Sequence, residues 1–92
     1  MTWMCVTLPD DTAIQEANLQ DAFWMVWNAA GASPEAIMYR TESGINSQYF
    51  FTPAAVSIAR PLLLKFGGKD CPEPNIGELI IVVKNEGAPI RS

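Results

Sequence analysis

Between residues 12 and 30 the apolar side chains return with helical spacing. At about 100° per residue, Leu19, Phe23, Val26 and Ala30 fall in one narrow stripe, flanked by Gln15, Ala22 and Trp27. That stripe predicts a helix from residue 12 or 13 to Ala30 with one core-facing side. Pro9-Asp10-Asp11-Thr12 marks its start: Thr12 and Gln15 have capping-box spacing, and Asp10 or Asp11 offers another cap. Gly31 supplies the left-handed residue that commonly follows a last turn. The opposite side carries Ile14, Ala17, Asp21, Trp24 and Met25. A helix packed on one side only should be polar there, so Ile14, Trp24 and Met25 form an apolar surplus.

Alternation with a period of two takes over on either side of this helix. Trp3 to Leu8 sets Met4, Val6 and Leu8 on one face against Trp3, Cys5 and Thr7 on the other, which predicts a first strand. Residues 32–35 read as a single turn leading into a second strand over 37–42. Residues 43–46 have hairpin-loop composition, and 47–51 form a third, β-rich strand antiparallel to the second. Thr52-Pro53 starts a second helix, 53–66, with Thr as N-cap and Pro at the first helical position. Pro61 inside it predicts a kink or division after Arg60. Gly67-Gly68 ends it, and 69–75, with Pro72 and Pro74, reads as an irregular loop across the end of the sheet. Residues 78–84 form the strongest strand, apolar on both faces. Residues 85–92 read as a short polar tail.

The order β-α-β-β-α-β over residues 1–92 predicts a single α+β domain of the ferredoxin-like kind, with two helices on one face of a four-stranded antiparallel sheet. Right-handed crossovers put the first and third strands in the centre, the fourth beside the first and the second beside the third. If the helices cover Met4, Val6 and Leu8, the open face carries Trp3, Cys5 and alternate residues of the last strand. No spare segment is long enough to cover it. The expected partner is therefore a second copy, a homodimer formed through the open sheet face as in the dimeric α/β barrels built from this topology. At ~25 cal/mol per Å², burying several hundred Å² of apolar surface contributes ~10 kcal/mol before association costs.

Composition narrows the chemistry. A chain of 92 residues buries only somewhat more than ~60% of the surface its unfolded form exposes, which favours self-association. A net charge of -4 argues against nucleic acid, whose binding needs clustered Lys and Arg. Residues 1–39 hold Asp10, Asp11, Glu16, Asp21 and Glu35 and no base, while all 6 basic residues lie from Arg40 onward. With no histidine and only Cys5 and Cys71, zinc fingers and His-based triads drop out, and no cofactor or metal is expected. Met1-Thr2-Trp3-Met4 lacks the features of a signal peptide and no apolar run could span a bilayer. The expectation is a cytoplasmic protein with free thiols and no membrane contact.

Few residues suggest a reaction. Arg40, with Tyr39 beside it and Tyr49 on the neighbouring strand, is a candidate ligand pocket for a carboxylate or phosphate; the alternative is an edge-strand charge paired with Glu42. Leu8-Pro9-Asp10-Asp11 would repel phosphate, and Phe66-Gly67-Gly68-Lys69 follows a helix and lacks phosphate-loop spacing. Cys5 reads as a small buried hydrophobe, and Cys71, near Lys69, as the more reactive thiol. No catalytic residue is identified. The leading expectation is a small protein-binding or regulatory module acting through the sheet face and the first helix, with Trp3, Ile14, Trp24 and Met25 as interface candidates. The alternatives are a small-molecule enzyme or ligand-binding protein of the dimeric α/β-barrel type, with Arg40, Tyr39 and Tyr49 lining its pocket, and an acidic inhibitor, phage-encoded or immunity-type, that blocks a basic site.

Overall fold

The computed structural model describes residues 2–8, 13–31, 34–41 and 48–84. Within them the chain forms β1 (Trp3–Thr7), α1 (Ala13–Ala29), β2 (Met38–Thr41), β3 (Gln48–Phe51), α2 (Pro53–Lys65), β4 (Lys69–Cys71), a 3-10 turn (Ile76–Glu78) and β5 (Leu79–Val83). The fold is α+β: two helices and one five-stranded antiparallel sheet of order β4-β1-β3-β2-β5. The expected hairpin loop at 43–46, the caps at Asp10, Asp11 and Thr12, and the tail 85–92 lie outside the described residues.

The expected four strands are thus five, and the strand expected last is in a different place. Gly67 takes φ 82°; its N–H donates to Leu64 O and that of Gly68 to Leu63 O, at 3.0 and 2.8 Å. This pair of bonds turns the chain sharply off α2. A Cβ on Gly68 would lie 2.7 Å from Leu63 O, so the second glycine is needed as well. The reversal delivers Lys69 opposite Cys5 and Cys71 opposite Trp3, and three residues pair with β1 before Pro72, which has no N–H to donate. The free edge of β1 is therefore taken by β4. Leu79–Val83 joins the other edge of the sheet, beside β2.

That placement forces the connection 72–78 across a face of the sheet. It leaves β4 at the level of Trp3 and enters β5 at the level of Thr41, which the ladders align with Gln48 and Thr7. Four strand spacings and a four-residue offset make a diagonal of about 23 Å. Eight Cα steps reach at most about 26–29 Å. The connection must take nearly the shortest line, and the helices occupy one face, so it runs over the other. The expected loop across the sheet's end is instead a strap over the open face.

The core lies between the sheet and the helices. Met4, Val6, Leu8, Met38, Tyr49, Phe51 and Val83 meet Leu19, Phe23 and Trp27 of α1 and Ala55, Val56, Ala59 and Leu63 of α2. Phe23 packs edge-on against Phe51 with ring centroids 5.1 Å apart. The buried stripe of α1 is centred one residue from expectation: Trp27 is buried, Val26 partly buried and Ala30 exposed. Helix α2 runs through Pro61 undivided. The carbonyl that Pro61 cannot bond belongs to Ser57, an exposed position where water can serve it.

Candidate interaction surface

Helix α1 leaves its outer stripe bare. Ile14, Trp24 and Met25 are 73%, 45% and 70% exposed. Ile14, Asp21 and Met25 stand seven and four residues apart, on one line of the helix surface. Trp24 is held more firmly than its exposure suggests. Its ring stacks on Trp27 with centroids 5.0 Å apart, and Trp27 Nε1 donates a 2.9 Å hydrogen bond to Ala36 O. One face of the Trp24 indole is thus seated while the other meets solvent, so little rotamer freedom remains to be lost on binding.

Beside this stripe lies the outer edge of β5, which sequence reasoning missed as a surface. Ile80 and Ile81 are exposed. A cleft of about 390 Å³ separates the elements, lined by Gln20, Asp21 and Trp24 of α1 and by Ile81, Val82, Val83 and Lys84. Asp21 and Lys84 bring charges of both signs to its lining, and Trp24 an exposed ring. The cue available in the sequence was the glycine stop at Gly67-Gly68 followed by three residues and then Pro72, the pattern of a short edge strand. Had residues 69–71 been placed beside β1, the last strand would have had to go to the opposite edge.

Trp3, expected on an open sheet face, is 9% exposed, and Tyr39 on the same face is 7% exposed. The two rings stack 6.0 Å apart. By the path derived from its ends, the connection 72–78 is the described segment that can reach this face. Trp3 offers little surface to a partner. Accessible on this face are Ile81, which pairs with Tyr39 and is exposed, the half-buried Phe50 and the polar Thr7, Gln48 and Lys69.

Arg40, Tyr39 and Tyr49 do not converge on one pocket. Register pairs Arg40 with Tyr49 and Val6, on the helix side, and sets Tyr39 on the other. Arg40 Nε lies 3.0 Å from Glu16 Oε2, a charge contact in which the N–H does not point along the line to the oxygen. The Tyr49 hydroxyl donates to the same carboxylate oxygen at 3.1 Å, and Arg40 Nη1 donates to Thr41 O at 3.2 Å. Among the described residues the partner of Arg40 is Glu16 of α1; the expected partner, Glu42, lies outside the described residues. The cluster ties helix to sheet, with its charges spent on each other.

Cys71 sits in β4, not in a loop, and its thiol is raised above the ordinary value by burial first, then by Cys5 and Asp70. A raised thiol carries less thiolate at neutral pH. Among the described residues no group of three or more His, Cys, Asp or Glu could hold a metal ion, both cysteines are free, and no helix is long and apolar enough to cross a membrane. No family model matches the chain, and no curated protein or solved structure matches it either.

Proposed function

We propose that this chain is a small protein-binding or regulatory module, built on a ferredoxin-like β-α-β-β-α-β unit with one added edge strand, and that its contact surface is the outer stripe of α1 with the adjoining edge of β5. The observation that carries the reading is adjacency: Trp24 of α1 and Ile81 of β5, both exposed, line one cleft, with exposed Met25 beside the first and exposed Ile80 beside the second along the chain. Large exposed apolar side chains set together in this way mark contact sites more often than scattered ones do. The four strands β1 to β4, ordered 4-1-3-2, with both helices on one face, support the ferredoxin-like part of the reading. Free thiols are in keeping with a reducing, cytoplasmic setting.

The enzyme alternative draws less support. Its proposed pocket residues lie on opposite faces of the sheet, and the one cation among them is paired with Glu16. The test is comparative capture: the immobilised chain and its Met25→Asp variant are exposed to the same host extract. The expected result is at least one protein bound by the parent and lost from the variant, with both folds unchanged by circular dichroism. Identical capture profiles would refute the assignment of this surface.

A further inference from the structure

We infer that a second copy of this chain occupies the surface, joined by antiparallel pairing of two β5 strands about a two-fold axis near Ile81, with the two α1 outer stripes packing over the junction. The inference rests on the contact surface proposed above and names its partner.

The two edges of the sheet are built differently. β4 has three residues, two of them the charged Lys69 and Asp70, and Arg60 reaches over to hold Asp70 through two contacts of 3.2 and 3.4 Å. A short, charged edge of this kind resists strand addition. β5 has five residues, Leu-Ile-Ile-Val-Val, with no charge among them, and it stands at the end of the sheet. Its outward backbone N–H and C=O groups are the groups a further strand would bond.

Charge then selects the partner and its direction. Glu78 immediately precedes β5 and Lys84 immediately follows it, and both are exposed. An antiparallel second copy brings the Lys84 end of each strand beside the Glu78 end of the other, twice per dimer. A parallel copy would set Glu beside Glu and Lys beside Lys. The segment is therefore complementary to itself in one orientation only, as an isologous two-fold contact requires. The register shift between Met38 and Tyr39 places a bulge at Val82, which steepens the local twist and keeps the shared ladder short, centred on Ile81.

Area sets the strength. A five-residue strand is about 17 Å long and the 17-residue α1 about 25 Å. Side by side they present roughly 400 Å² per copy, about 800 Å² in all, which is below the ~1,200 Å² at which stable specific interfaces begin. Such a contact gives at most a weak, reversible dimer, to which the ladder hydrogen bonds add.

Sedimentation velocity on the full chain across the micromolar range tests this. The expected result is a concentration-dependent monomer–dimer equilibrium that Ile81→Lys abolishes; Ile81 is 45% exposed, so the monomer should keep its fold. Glu78→Lys and Lys84→Glu should each weaken dimerisation roughly tenfold, and combining them should restore it, because the crossed pairs re-form with reversed signs. These two substitutions are at exposed positions and serve even if Ile81→Lys misfolds. A parent chain that stays monomeric throughout overturns the inference. So does a dimer that Glu78→Lys and Lys84→Glu leave unchanged but Phe50→Lys abolishes, which puts the contact on the open sheet face, and so does a double reversal that restores nothing. A monomeric chain that still loses a captured protein on Met25→Asp removes self-pairing alone and leaves the proposed contact surface standing.

Discussion

Glu16 is where one residue decides what a neighbourhood does. Its Oε2 receives both the Tyr49 hydroxyl and the Arg40 charge, so a helix residue closes what the sequence offers as a basic pocket. Glu16→Ala leaves a fully buried tyrosine hydroxyl and a partly buried guanidinium without that partner. The expected loss is about 1–3 kcal/mol, read as a lower denaturant midpoint with an unchanged slope. Glu16→Gln, which keeps an acceptor for Tyr49, should lose less. None of this was legible locally: Glu42 is two residues from Arg40 and Glu16 is twenty-four away, and only the docking of α1 on the sheet brings the distant carboxylate closer. The exposure of Ile14, Trp24 and Met25 was legible, since helical phase alone separates them from Leu19 and Phe23.

Among the elements, the start of α2 shows sequence signals and tertiary structure reinforcing each other. Thr52-Pro53 announces an N-cap, and the Thr52 hydroxyl does accept from Ala55 N at 3.4 Å. It also donates to Glu35 O at 2.7 Å and accepts from Ile37 N at 3.0 Å. One hydroxyl thus caps a helix and fastens the segment entering β2. Thr52→Val, nearly isosteric, removes all three bonds at a buried position. It should cost about 2 kcal/mol or more, above the usual value for a single cap, while Thr52→Ser should cost less; thermal unfolding of the pair checks the difference. The strand missed by sequence reading, β4, is missed for a physical reason. Three residues carry no usable periodicity, and Lys69-Asp70-Cys71 has no β-forming character of its own. It is a strand because the turn at Gly67-Gly68 delivers it to an unoccupied edge.

For the whole molecule the consequential segment is the connection 72–78, which ties opposite edges of the sheet and crosses the face expected to be open. Its length is matched to its path. Deleting Glu73 and Pro74 shortens its reach by about 7 Å, below the diagonal it must span. The expected result is loss of hydrogen-exchange protection at the amides of Leu79–Val83. Inserting two glycines after Glu73 should leave that protection in place and cost under about 1 kcal/mol, because closure entropy grows slowly with loop length. Equal tolerance of both changes would mean that the strap is slack. By that path it is the described segment that can reach Trp3 and Tyr39, the two dry aromatics of that face.

The sequence by itself determined what local chemistry can specify: two helices with their stops and the N-cap of the second, three of the strands nearly to the residue, a fourth in the right place along the chain, and the side of α1 that faces the core. Those features depend on periods of 3.6 and 2 and on the backbone preferences of Gly, Pro and Thr, all of which act within a few residues. Tertiary structure alone decided which edge of the sheet each late strand occupies, which carboxylate meets Arg40, and which apolar surplus the chain covers for itself. Those outcomes follow from competition for space between segments far apart in sequence: once β4 holds the edge of β1, β5 must pair at β2, the opposite edge, which sets its apolar residues beside Trp24.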